Sequence, residues 1–124
     1  MPREITLYHN PRCSKSRAAL QLLQQTEASL EVIDYQKKPP SAATLKHILQ
    51  LLNLTANELL RHSEATYRNL KLDTEQHSEK ELIDLIVQYP ILMQRPIVVT
   101  KTAAAIGRPI ENIIDLLDNH EPDD

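Results

Sequence analysis

One cysteine, Cys13, stands among residues that would make its sulfur reactive. It closes the loop His9-Asn10-Pro11-Arg12-Cys13 and is followed by Ser14-Lys15-Ser16-Arg17, so His9, Arg12, Lys15 and Arg17, all cationic or able to become so, are near in sequence. The loop falls between a predicted strand and a predicted helix, where backbone N–H groups and the positive helix end favour an anion. A free thiol titrates near about 8.5, and such a setting lowers it by one to several units. A thiolate formed at neutral pH is a nucleophile without a separate general base. The competing reading is a small buried hydrophobe, the usual fate of an intracellular cysteine. Flanking Arg, Ser and Lys in a proline-containing loop argue against burial in the core.

Cys13-Ser14-Lys15-Ser16 is C-x-x-S, with no resolving cysteine one helical turn on, so an external thiol must complete any redox cycle. The spacing from Cys13 to Arg17 also differs from C-x5-R, the loop by which tyrosine phosphatases wrap an oxyanion. Three further arginines stand where an oxyanion would use them: Arg61 closing a helix, Arg95 before Pro96, and Arg108 beside Gly107. The planar guanidinium fork suits tetrahedral oxyanions and gives paired, charge-assisted hydrogen bonds. Nothing local in the sequence brings these arginines to Cys13, and solvated side chains are the competing reading.

The elements that must position these residues begin with a strand over Glu4–Tyr8, Ile5 and Leu7 on one face. A helix over Ser14–Gln25 carries Ala18, Ala19, Leu22 and Leu23 at helical spacing, widened by Leu20. Glu31–Tyr35 is a second strand carrying Val32, Ile33 and Tyr35. Two strands joined by a helix are normally parallel. The middle of the chain, about 41–90, reads as helical. Ser41 is an N-cap before Leu45, Ile48, Leu49 and Leu52. Thr55 with Glu58 and Ser78 with Glu81 fit the capping-box spacing, opening a short helix that ends near Arg61 and a longer one over Glu79–Gln88. Ser63–Gln76 reads as polar and irregular. Ile97–Thr100 and Ala103–Ile106 are predicted strands. A last helix starts at Pro109 and buries Ile110, Ile113, Ile114 and Leu117. Residues 118–124 form an acidic tail expected to fray. The order implies a single α/β domain over 1–124, a mixed four-stranded sheet with flanking helices and an inserted helical lobe.

Composition removes several function classes. The 124 residues hold 41% apolar side chains, with no Phe or Trp, and a formal net charge of −3, so no basic excess is present to coat nucleic acid. The one glycine, Gly107, rules out a glycine-rich phosphate loop and a dinucleotide fingerprint. No apolar run approaches the roughly 18 residues that cross a bilayer, and Met-Pro-Arg-Glu-Ile lacks a secretory pattern. A single cysteine supplies neither an intrachain disulfide nor a cysteine-rich zinc site. The expectation is a reduced cytoplasmic protein, monomeric for want of an unassigned apolar stripe, with no metal and no bound cofactor.

Three stretches together resemble the glutaredoxin-coupled bacterial arsenate reductases: the strand followed by Tyr8-His9-Asn10-Pro11-Arg12-Cys13-Ser14-Lys15-Ser16-Arg17, then Pro90-Ile91-Leu92-Met93-Gln94-Arg95-Pro96-Ile97-Val98-Val99-Thr100, and Ile106-Gly107-Arg108-Pro109. The similarity runs from about Ile5 to Leu117. It implies a thioredoxin-like fold with a helical insertion and an oxidoreductase serving arsenic detoxification. Cys13 is implied as nucleophile, His9 as the histidine that lowers its pKa, and Ser16 as the serine that steadies the thiolate. Arg61, Arg95 and Arg108 match the oxyanion-binding arginines, Pro96 a cis-proline, and Asn10 and Arg17 structural positions at the site. In the implied mechanism Cys13 attacks arsenate, glutathione displaces a second oxygen and reduces the arsenic, and glutaredoxin removes glutathione as a mixed disulfide. Some family members carry a second cysteine where this chain has Gly107. Two alternatives share the fold: another glutathione-linked thiol oxidoreductase, and a non-enzymatic redox regulator that binds RNA polymerase.

Overall fold

Strand β1 (Glu4–His9) buries four of its six side chains, Ile5, Leu7, Tyr8 and His9, as a strand enclosed by neighbours on both sides does. The computed structural model describes residues 3–119. Helix α1 (Ser14–Gln24) leads from β1 to β2 (Ser29–Asp34), which pairs with β1 in parallel from Glu4 opposite Ser29 to His9 opposite Asp34. On the other side β1 meets β3 (Ile97–Val99) antiparallel, Tyr8 opposite Ile97, and β3 meets β4 (Ala104–Ile106) antiparallel, Ile97 opposite Ile106. The sheet is therefore mixed and four-stranded, in the order β2-β1-β3-β4.

The chain divides into two compact units, one comprising the described residues up to Lys38 and from Arg95 onward, the other Pro39–Gln94. The first holds the sheet. Its core joins Ile5 and Leu7 of β1 and Val98 of β3 to Ala19 and Leu23 of α1, with Ala103, Ile113 and Leu116. Each such Leu or Ile removed from water contributes about 1.5–3 kcal/mol.

The second unit is helical, and its boundaries follow its caps. Before α2 (Ala42–Leu52), Ser41 Oγ accepts the Thr44 N–H at 3.1 Å, and Asn53 ends the helix in the left-handed region at φ 57°. Thr55 with Glu58 and Ser78 with Glu81 form complete capping boxes. The first opens α3 (Ala56–Leu59), the second α5 (Glu79–Gln88), with α4 (Ala65–Asn69) between them and a 3-10 turn at Pro90–Leu92 after them.

Four expectations need correcting. Helix α3 stops at Leu59, so Arg61 does not close it; the chain straightens there, with Leu60 bridged to Met93. The stretch 63–76, expected to be irregular, contains α4, anchored by the buried Tyr67 and too short to show a period in the sequence. Helix α6 is Glu111–Asn119, starting after Pro109 and including Asp118 of the expected acidic tail; the rest of that tail beyond Asn119 lies outside the described residues. Its packed face is centred on Ile113 and Leu116, which turns Ile114 outward to 39% exposure.

Among the described residues no helix is long and apolar enough to cross a membrane. Peptide bonds Arg95–Pro96 and Arg108–Pro109 are both cis. Gly107 donates its N–H to the Pro96 carbonyl at 2.8 Å, drawing the two segments together. A Cβ on Gly107 would lie 2.6 Å from Ile113 Cδ1 and 2.9 Å from Pro96 Cγ. Gly107→Ala is accordingly expected to destabilise the protein by about 1–3 kcal/mol through overpacking. A lowered urea midpoint at unchanged slope is the result anticipated; an unchanged midpoint would mean that Ile113 swings aside freely.

Candidate active site

The strand pairing brings four loop segments to one edge of the sheet. There β1 ends at His9 opposite Asp34, the last residue of β2; β3 begins at Ile97 opposite Tyr8; β4 ends at Ile106 opposite Ile97. Asn10–Ser16, Tyr35, Arg95–Pro96 and Gly107–Arg108 all start from that edge. In α/β sheets this carboxyl end of the parallel strands is where ligands bind.

The turn from β1 into α1 is held by its own side chains. The Asn10 carbonyl accepts the Cys13 N–H at 3.0 Å, and Asn10 Oδ1 accepts the Arg12 N–H at 3.0 Å. Ser16 Oγ, wholly buried, accepts the Asn10 N–H at 2.9 Å and lies 2.6 Å from His9 Nδ1. Arg17 Nη1 donates to the Pro11 carbonyl at 2.9 Å. Cys13 is the N-cap of α1, extended at φ −99° and ψ 123°, and its carbonyl accepts the first helical bond from Arg17 N–H at 3.0 Å.

Cys13 is only 8% exposed, contrary to the expectation drawn from its flanks. Arg12, Ser14 and Lys15 are exposed, and their polarity reports their own surroundings while the cap position turns the sulfur inward. Burial pushes the thiol pKa up, but the backbone N–H groups of Ser16 and Lys15 and the charge and side chain of Arg95 outweigh it, leaving the pKa below the ordinary thiol value. The sulfur makes no capping hydrogen bond of good geometry, so the N–H groups act as dipoles that become partners once it ionises.

His9 is buried, and burial pushes its pKa down. Asp34 and the Ser16 backbone favour its protonation and Arg17 opposes it; the net shift is downward. Although a histidine in this loop is able to become cationic, the fold favours the neutral form of His9 at neutral pH. In that form its reach toward the cysteine turn passes through Ser16.

Around the sulfur, polar atoms are left without partners. Arg95 Nε and Nη1 are buried and make no hydrogen bond, while the same guanidinium acts on the Cys13 thiol. Tyr35, read from sequence only as a strand residue, follows the last residue of β2, has no exposed surface and leaves its hydroxyl without a hydrogen bond. The signal that could have found it is its place: in the parallel register, the residue after Asp34 stands next to Asn10, the residue after His9.

Arg108 is exposed at the same edge, and its guanidinium makes no hydrogen bond or ion pair among the described residues. Arg61 belongs to the helical unit, where Nη1 lies 2.9 Å from Glu64 Oε2 and its N–H donates to the Leu92 carbonyl at 2.7 Å. The sheet unit thus brings together Cys13, His9, Ser16, Asn10, Arg17, Arg95 and Pro96, adds Arg108 at the rim, and does not contain Arg61. Among the described residues no group of three or more His, Cys, Asp or Glu is arranged to hold a metal.

Residues 8–116 match the profile of the ArsC family. This chain belongs to the ArsC family. An arsenate reductase of Neisseria meningitidis serogroup A is 43% identical over 111 residues, covering 89% of this chain and 95% of that protein. An Escherichia coli K12 protein, YfgD, named as uncharacterized, is 43% identical over 118 residues, covering 94% of this chain and 99% of the relative. Among solved structures, an arsenate reductase from Vibrio cholerae superposes with a TM-score of 0.87 at 36% identity, covering 93% of this chain and 98% of that one. The thioredoxin-like α/β fold of ArsC proteins is therefore the fold of this chain.

A thiol with a lowered pKa reacts at lower pH than a free one. Alkylation of Cys13 by iodoacetamide is expected to follow a midpoint below about 8.5, the value for free cysteine. In Arg95→Ala the midpoint should move up, because one charge favouring the thiolate is gone, and the rate at pH 7 should fall. A wild-type midpoint at or above the free-cysteine value would contradict the arrangement described.

Proposed function

We propose that this chain reduces arsenate to arsenite, with Cys13 as nucleophile and glutathione and glutaredoxin as outside reductants. The observation that carries the reading is a thiolate-favouring cysteine facing a guanidinium whose Nε and Nη1 are buried without partners. Such donors, held in place before substrate arrives, stabilise negative oxygens with little reorganisation. Membership of a family whose curated relatives include arsenate reductases supports the choice of oxyanion.

The Cys13 sulfur forms a bond to arsenic(V) and one oxygen leaves as water, while Arg95 and Arg108 hold the remaining oxygens. Glutathione displaces a second oxygen as water, giving arsenic two bonds to sulfur. A glutaredoxin thiolate then attacks the glutathione sulfur. The sulfur–arsenic bond breaks, its electron pair stays on arsenic, which becomes trivalent, and glutathione departs as a mixed disulfide. Water cleaves the last sulfur–arsenic bond, releasing arsenite and restoring the thiol. With one cysteine in the chain, both reducing equivalents come from these partners. A thiol that must stay reduced between turnovers suits the cytoplasm.

The resemblance noted above extends the oxyanion role to Arg61, which substitution tests separately. Arsenate-dependent oxidation of NADPH, coupled through glutathione reductase with glutathione and glutaredoxin, is the assay. Cys13→Ser should abolish turnover, and Arg95→Ala should cost roughly 10²–10³-fold in kcat/KM, as loss of an oxyanion donor does. Arg108→Ala and Arg61→Ala should lower kcat/KM in the same direction. No arsenate dependence in folded, fully reduced wild type would end the assignment.

A further inference from the structure

We propose that the Tyr35 hydroxyl is a neutral hydrogen-bond donor to the oxyanion bound over Cys13, working beside Arg95. The inference rests on the oxyanion reading above and adds a residue to it.

Three observations converge. First, Tyr35 has no exposed surface, yet its hydroxyl has no hydrogen-bond partner. A buried polar group left unpaired costs the fold free energy that a phenylalanine of the same shape would not. Second, the unpaired donors are grouped. Arg95 Nε and Nη1 are also buried and unpaired, and Arg95 acts electrostatically on both the Tyr35 hydroxyl and the Cys13 thiol. Among the described residues, the one other buried side-chain polar atom without a partner is His77 Nε2, in the helical unit. Third, the register explains the grouping: Tyr35 follows Asp34, which pairs with His9, and Arg95 stands two residues before Ile97, which pairs with Tyr8. Both side chains therefore start from the edge that carries Cys13.

The amide side chains of Gln36 and Asn10 approach the hydroxyl closely enough to favour its ionised form, but outside the geometry of a formed hydrogen bond. Burial raises the Tyr35 pKa and those amides and Arg95 only partly offset it, so the hydroxyl keeps its proton at neutral pH. A neutral O–H differs in kind from the arginines. It adds no charge, and its single proton selects for an acceptor atom in one place.

Tyr35→Phe separates this role from a structural one. The probe is protection of Cys13 from iodoacetamide by sodium arsenate, with sodium phosphate and sodium sulfate alongside. In the variant, half-protection by arsenate should need roughly tenfold more ligand, as for loss of a hydrogen bond to a charged group. The alkylation rate without ligand should be unchanged, and the melting midpoint equal to or above that of wild type. Equal protection in variant and wild type overturns the Tyr35 proposal and leaves the oxyanion reading standing. A clearly lower melting midpoint also overturns it, by showing that the hydroxyl has a partner in the fold. If none of the three anions protects wild type, the oxyanion reading itself has failed and the proposal falls with it. Protection that weakens in Tyr35→Phe, with no turnover in wild type, supports the Tyr35 proposal while removing reduction of arsenate.

Discussion

The Ser16 hydroxyl is shut off from water and serves two groups at once, the Asn10 N–H and His9 Nδ1. His9 ends β1 and Asn10 follows it, while Ser16 sits in the first turn of α1, so this contact closes the strand-to-helix turn around Cys13. Buried polar groups cost more when unmade than they contribute when made, so each member holds the others in place. With the turn closed, the N–H groups of Lys15 and Ser16 keep facing the sulfur. The lowering of the Cys13 pKa is thus tied to the hydrogen bonds that close this turn.

Opposed electrostatic effects meet at that sulfur. Burial alone would make Cys13 an inert thiol, which is how most enclosed cysteines behave. Helix N–H groups and the Arg95 guanidinium reverse the outcome. The same guanidinium retains Nε and Nη1 without partners, so its hydrogen-bonding capacity is only partly used inside the protein. Unused donors beside a thiolate-favouring cysteine are what the proposed oxyanion pocket requires, since such donors bind where charge accumulates.

The helical unit was legible where its signals are local. Ser41, Thr55 with Glu58 and Ser78 with Glu81 each cap a helix within four residues of sequence, and the structure forms all three caps. The cysteine loop was legible for the same reason, being one continuous stretch between β1 and α1. What escaped depends on pairing between distant strands. Arg95 reaches Cys13 because β3 runs antiparallel to β1, a relation that no spacing in the chain encodes. Tyr35 was missed because a tyrosine at a strand end carries no sign of an unpaired hydroxyl. The burial of Cys13 was misread from polar neighbours, and the exposure of Ile114 from a helical face whose phase only packing against the sheet decides.

The buried, neutral state of His9 bears on the proposed oxyanion pocket. A guanidinium keeps its charge at every pH a protein survives. His9 is already without its proton near neutrality, and Tyr35 retains its own. Both of these neighbours of the cysteine turn are therefore uncharged at neutral pH. Neither His9 nor Tyr35 adds charge to the proposed oxyanion pocket at neutral pH, so the protonation state of the anion itself weighs the more in its selection.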